Sequence, residues 1–555
     1  MRPLGMLVVA LLVAGGRVRA QEAVGTATLT EAGDPSITSV SESSGFLRPR
    51  PFLRSRLASW RPISQWLSRT AGRQDQEPIS IPVTEDPQQP ARSNGGSALP
   101  VPAAPMEGES ATTTPVLGEP AAATAGGAEG ESRGSEPISG NPAAVNIITG
   151  TGALGRALGI GKDSGIRLGG LWLGDTSGVL SGGQNPGRWG LNSLTIIDLN
   201  LDAETILGWK GGSFGTEYLQ FAGQNTNGLA GAFPGFDSIE AGPPLTRNQL
   251  YQLWFRQSLF DDRLIFRIGK SVPTFDFNNV VRPVPVGDPS AAIPAVTALA
   301  YTPIFVNPTM LGVIPGYYNS ATGITTTLAP TKSIYLNYGF YDGNLAAGHQ
   351  TGLSGPRFDG YYFHIGEFGF SHRLGPQRKP GNFGVGIWGQ TGKLADLTGG
   401  TTNGAVGVYL FGAQRLWFRH PGVDNSGISG FYQFGANNSN ALHARQYVGG
   451  GLTAFGLVPG RPNDSFGLGL NCTWLTPGAY SARLFYPPWE YNDVPSLRPS
   501  QLMFQCYYQM QLLPGWFFQT NLTDIPTPGI PPLTKENRTS FPNALAITLR
   551  VTVLF

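Results

Sequence analysis

The sequence predicts an all-β protein: a transmembrane antiparallel β-barrel of about 16 strands, preceded by a signal peptide and a disordered Pro/Ala-rich N-terminal extension. Three observations carry that expectation. Charged residues make up 13% of the 555 residues, while Gly (77) and Pro (46) are abundant; an ordinary globular chain is about 25% charged. Beyond the first twenty residues no run of about 18 apolar residues occurs, so no segment is written as a membrane-crossing helix. From about residue 146 onward, segments of eight to twelve residues alternate apolar and polar side chains between Gly, Asn, Asp and Pro turns, which is the text of strands.

The chain opens MRPLGMLVVALLVAGGRVRA, with an early arginine, an apolar stretch from Leu4 to Ala14, and Val18-Arg19-Ala20 as a small-x-small cleavage site. Residues 1–20 therefore read as a signal peptide and the remainder as exported, although Arg17 and Arg19 crowd the cut. Residues 21–145, rich in Pro, Ala, Gly, Ser, Thr and Glu, form a periplasmic extension that buries too little apolar surface to offset its chain entropy. One island inside it, FLRPRPFLRSRLASWRPISQWLSRTAGR, spaces Leu53, Leu57, Trp60 and Leu67 nearly as a helix would, among many arginines. It reads either as a short amphipathic helix or as a disordered basic stretch, because Pro51 and Pro62 interrupt it.

The barrel occupies residues 146–555. TIIDLNLD reads as an early strand. LYQLWFRQS sets Tyr251, Leu253 and Phe255 against Gln252, Trp254, Arg256 and Ser258. After the turn Phe260-Asp261-Asp262, RLIFRIG sets Leu264, Phe266 and Ile268 against Arg263, Ile265 and Arg267, giving a hairpin with one apolar and one wet face. SIYLNYGFY, NFGVGIWGQ, SFGLGLNCTW, LMFQCYYQMQL and GWFFQTNL continue the pattern, whereas YYFHIGEFGF leaves its register open. In the last segment, ALAITLRVTVLF, Leu545, Ile547, Leu549, Val551, Val553 and Phe555 share one face. Ala546, Thr548, Arg550, Thr552 and Leu554 share the other. That length suits a strand tilted across a bilayer, the alternative being the edge strand of a soluble β-domain. Arg550 must face something wet or paired, since arginine on lipid at mid-depth costs roughly 2–4 kcal/mol.

About 400 residues at roughly 25 per strand and connection give on the order of 16 strands, enough for an aqueous lumen. The interval VVRPVPVGDPSAAIPAVTALAYTPIFVNPTMLGVIPGYYNSATG is too long and too apolar for a solvated connection and is expected to fold inward.

Enzyme chemistry finds no foothold. His349, His364, His372, His420 and His443 are scattered without metal-ligand spacing, no G-x-S-x-G or P-loop occurs, and GALGRALG lacks the G-x-G-x-x-G order. No catalytic residue, metal or cofactor is expected. A net charge of +2 without a basic stripe argues against nucleic acid. Two cysteines rule out a disulfide-dense scaffold. Cys472 and Cys506 fall on outward faces of strands joined by the 475–500 connection, so pairing about it would bring residue 472 near 503–506. They read either as a cross-strand disulfide or as two free thiols.

An acidic strand followed by ETILGWKGGSF and LQFAGQNTNG, then QLYQLWFRQSLFDDRLIFRIGKSVPTFDF, GLTAFGLVPGRPNDSFGLGL and PGWFFQTNLTDIPTPG before ALAITLRVTVLF, resembles the carbohydrate-selective porins of Gram-negative outer membranes, the OprB type. The resemblance spans about residues 150–555. It implies a 16-stranded barrel, passive uptake of monosaccharides such as glucose, contact with outer-membrane lipid and lipopolysaccharide, and a terminal aromatic, Phe555, read by the outer-membrane insertion machinery. The assembly would be a monomer or a homotrimer. The family often has Glu where this chain has Gln505, and Pro-Asp-Leu-Gln where it has Thr520-Asn521-Leu522-Thr523, which bears on sugar preference rather than on the barrel. A sugar pore needs aromatics for the apolar face of a pyranose and polar groups for its hydroxyls, bound weakly enough to permit exit. Strand parity places Asp198, Asn200, Asp202, Trp254, Arg256, Arg267, Gln509, Asn521 and Arg550 inward, with Arg256 and Arg267 on facing strands. Other readings are a general or anion-preferring diffusion porin, or a surface adhesin-type barrel.

Overall fold

The computed structural model describes residues 152–161, 163–240, 244–278, 280, 293, 296–316, 318–479, 498–530 and 541–555. The expected signal peptide, the 21–145 extension with its basic island, and the boundary at 146 lie outside the described residues.

Among the described residues sixteen strands form one closed antiparallel sheet, as expected. In order they are β1 (Ile166–Ser181), β2 (Trp189–Asp202), β3 (Gly212–Ala222), β4 (Thr246–Leu259), β5 (Leu264–Ser271), β6 (Ala321–Thr331), β7 (Ile334–Asp342) and β8 (Tyr362–Leu374). There follow β9 (Lys379–Ala395), β10 (Thr401–Phe418), β11 (Gly427–Asn437), β12 (Ala444–Phe455), β13 (Ser465–Leu475), β14 (Ser500–Leu513), β15 (Trp516–Thr527) and β16 (Ala544–Leu554). Each pairs with its sequence neighbour, and β16 closes onto β1. A short helix α1 (Ala153–Ala157) precedes β1; α2 (Ala203–Leu207) joins β2 to β3, and α3 (Thr226–Ala230) lies between β3 and β4.

Alternation decides which way each side chain points. On β16, Thr548, Arg550 and Thr552 are buried inside while Ile547, Val551 and Val553 are partly exposed outside, the parity read from the sequence. Elsewhere the outer face carries exposed Val408, Ile387, Leu468 and Leu470, an apolar surface that a bilayer solvates. Connections at one end are tight, such as 260–263, 332–333, 375–378 and 514–515, whereas 223–245, 272–320 and 343–361 at the other end are long. Short periplasmic turns and long outer loops are the habit of such barrels. The expected turn is present, with Phe260, Asp261 and Asp262 all left-handed (φ 56°, 54° and 64°).

β4 departs from strict alternation. Glu217 pairs with Gln252 but Tyr218 pairs with Leu250, leaving Tyr251 as the extra residue of a bulge. Tyr251, expected on the apolar outer face, is therefore turned inward and buried. Its hydroxyl accepts a hydrogen bond from the Tyr318 backbone N–H at 3.3 Å.

The core sits inside the barrel. Residues 296–316 of the β5–β6 connection fold inward, as their apolar text demanded, with Leu299, Tyr301, Ile304 and Met310 buried. They meet the β3–β4 connection, where Ser238 N donates to Ala300 O (2.8 Å) and Thr302 N to Gly235 O (3.0 Å). Gly469 on β13 lies against Leu299 and Tyr301, so any Cβ there would collide with the inward segment.

Candidate functional site

The β4–β5 hairpin carries two arginines on its inner face. Arg256 and Arg267 are direct cross-strand partners, both half-buried. Facing like charges repel at this spacing unless something neutralises one of them. Asp276 does so: it forms an ion pair with Arg267. The Arg267 guanidinium also lies 5.9 Å from the centre of the Trp254 ring, a cation–π contact. Trp254, Arg256 and Arg267 thus come together as the sequence suggested. Asp276 was not foreseen, because it lies beyond β5 in the inward connection and nothing in strand parity marks it.

The other expected residues are placed differently. Arg550 reaches Asp175, its direct partner on β1, in a bidentate pair with Nε–Oδ1 at 2.8 Å and Nη2–Oδ2 at 2.6 Å. Its Nη2 also donates to Ser238 Oγ at 2.9 Å. Both charged side chains are fully buried, so Arg550 faces inward but is covered by the β3–β4 connection rather than exposed to a water path. Beside it, Ser177 Oγ lies 2.9 Å from Thr548 Oγ1 and donates to Asp237 Oδ2 at 2.9 Å. Asn192 Nδ2 donates to the same Asp237 oxygen at 3.0 Å.

Gln509 and Asn521 face inward and are likewise covered. Ser465 Oγ donates to Gln509 Oε1 at 3.4 Å. Gln519 Nε2 donates to Asn521 Oδ1 (2.6 Å) and to Ala298 O (2.5 Å), so this part of the wall supports the inward segment. Asp198 is buried and binds Arg167 at 3.1 Å and Asn200 Nδ2 at 3.3 Å. Asp202 continues the parity of Asp198 and Asn200 at the end of β2 and is partly exposed. It caps α2, accepting from Glu204 N at 3.0 Å and Thr205 Oγ1 at 2.7 Å, because the strand ends there and the helix offers unpaired N–H groups.

Phe555 continues the pairing with β1 through Gly170 N–Phe555 O at 2.8 Å and Phe555 N–Gly170 O at 2.9 Å. Its ring lies over Gly170 on the outer face. Cys472 and Cys506 are free. They pair with Leu502 and Leu468 respectively, so the disulfide reading fails on register. Among the described residues no cluster of His, Cys, Asp or Glu is arranged to hold a metal ion.

The family model for the carbohydrate-selective porin, OprB family, matches residues 195–555, from the middle of β2 through β16. No curated protein matches the chain. Among solved structures, the high-pH structure of Pseudomonas putida OprB shares 20% identity at a TM-score of 0.60, covering 77% of this chain and 100% of that one. The low-pH structure of the same protein gives 15%, 0.44, 73% and 97%. For the outer membrane channel DcaP of Acinetobacter baumannii the values are 10%, 0.38, 70% and 97%. At such identity the first likeness speaks for the fold alone.

Proposed function

The chain belongs to the carbohydrate-selective porin, OprB family, and is a carbohydrate channel of the Gram-negative outer membrane; from that premise we propose that it passes glucose and related monosaccharides by passive diffusion. The observation that carries the finer reading is the Arg256–Arg267 pair beside Trp254 and Asp276. The partly exposed guanidiniums and the Asp276 carboxylate offer both donors and acceptors to sugar hydroxyls, while the Trp254 indole, buried against Gly215, backs Arg267 and holds it in place. Such contacts replace water one for one and hold the sugar loosely enough for release. The outer apolar band rests against lipid and lipopolysaccharide.

In planar bilayers, glucose is expected to reduce single-channel current with half-block on the order of millimolar, and Trp254→Ala to weaken that block. Current indifferent to every monosaccharide would overturn the reading. The facing Arg256 and Arg267 would then favour an anion-preferring diffusion porin, and an absence of current an adhesin-type barrel.

A further inference from the structure

We propose that Glu367 is a positioning residue of this channel: it fixes the turn that carries Asp276, and through Asp276 it sets the charge presented beside Arg256 and Arg267. Glu367 lies on the inner face of β8 and is buried. Its Oε1 accepts from Tyr335 Oη at 2.6 Å, and its Oε2 accepts from Tyr409 Oη at 2.8 Å and from the Asn278 backbone N–H at 2.7 Å. The two phenols come from the wall. Tyr335 on β7 lies over its cross-strand partner Gly369, and Tyr409 on β10 lies over its partner Gly386 on β9. A side chain at either glycine would displace a ring, so the wall is shaped to bring both hydroxyls to one carboxylate.

The third donor is the only one from the inward connection, and it sits two residues beyond Asp276. Asn278 adopts a left-handed φ of 52°, a conformation asparagine tolerates better than most residues and one that reverses the chain here. A second tie lies on Asp276 itself, where Asn337 Nδ2 donates to the Asp276 backbone oxygen at 3.1 Å. Asn337 is oriented in turn by Thr327 Oγ1, which donates to its Oδ1 at 2.8 Å. Between the two ties Phe277 is buried against Gly339. Three successive residues, 276 to 278, are thus fixed to β7 and β8. Removing the Glu367 tie frees the C-terminal side of the turn, and the Asp276 carboxylate no longer neutralises Arg267 continuously.

The inference rests on the reading that Trp254, Arg256 and Arg267 border the solute path. Ion selectivity is measured on the open channel whatever its sugar preference, so failure here is distinct from failure to pass monosaccharides. Reversal potentials in a salt gradient are compared for the parent, Asp276→Asn, Glu367→Gln and the double variant. Asp276→Asn is expected to raise the chloride-over-potassium permeability ratio about two- to five-fold, the scale of one unbalanced charge near a pore, and Glu367→Gln to raise it by less, since Asn337 and the packing of Phe277 still hold residues 276 and 277. The double variant is expected to match Asp276→Asn alone, because Glu367 acts through Asp276. Glu367→Asp, which keeps the charge but withdraws it from Asn278, should shift selectivity in the same direction. Unchanged selectivity in folded Glu367→Gln, effects that multiply in the double variant, or failure of both Glu367 variants to give the heat-modifiable folded band would overturn the proposal.

Discussion

Glu240 shows how one residue of an inward connection can be tuned by what covers it. It accepts hydrogen bonds from Asn227 N at 2.5 Å and Thr226 Oγ1 at 3.0 Å, yet burial, aided by neighbouring Asp237, pushes its carboxyl from 4.5 up to about 8. The raised value means the docked segment keeps a proton that a released segment gives up above about 4.5. Docking of 226–240 is therefore strongest below that pH, weakens as pH climbs towards 8, and levels off beyond. Limited proteolysis of the folded barrel should cut this segment faster at pH 9 than at pH 6, and Glu240→Gln should remove the difference. Equal rates for the parent at both values would count against it. Individual residues were legible in the sequence only where strand parity spoke for them. Trp254, Arg256 and Arg267 were found because period two assigns a face. Asp276, Glu367 and Asp175 were missed as partners because what pairs them is tertiary closure, and the cap that Asp202 forms on α2 is not announced by alternation.

At the level of elements, β13 and β14 test how far register can be read from spacing. Alternation placed Cys472 and Cys506 on outward faces, and the structure agrees, with Cys506 exposed between Phe504 and Tyr508. Counting back across the connection put them too close. The observed partners, Cys472 with Leu502 and Cys506 with Leu468, leave the cysteines four rungs apart, about 13 Å along a strand. No disulfide spans that distance. Oxidation of the folded protein in detergent should leave both thiols titratable, whereas Leu502→Cys should cross-link to Cys472 and shift its mobility on a non-reducing gel. A Cys472–Cys506 bond in the parent would refute the register. The bulge in β4 marks the same limit, since a single extra residue at Tyr251 reverses a face without altering composition. The sheet itself was legible because a lipid-facing wall must repeat every second residue along every strand, while bulges and pairing offsets follow from side chains elsewhere.

The whole barrel closes through its first and last strands, and the hydrogen bonds joining Arg550 to Asp175 span 375 residues of sequence. Contacts so remote form late, since the intervening sheet must be ordered first. Until then β1 and β16 are the two open edges of a growing sheet, and an open edge will pair with any other edge it meets. Each carries one buried-to-be charge, of opposite sign. Two copies joining through β16, antiparallel about residue 550, would set arginine against arginine; two joining through β1 would set aspartate against aspartate. Only β1 laid on β16 cancels both. The clasp that holds the finished cylinder thus also tells an edge its own kind from its complement. Arg550→Asp should lower the yield of folded monomer on unheated gels, since every pairing of the two edges then sets aspartate against aspartate and an uncompensated buried charge costs about 3–5 kcal/mol. Combining it with Asp175→Arg should restore the monomer, and a single variant that assembles as cleanly as the parent would show that the edges choose partners by other means.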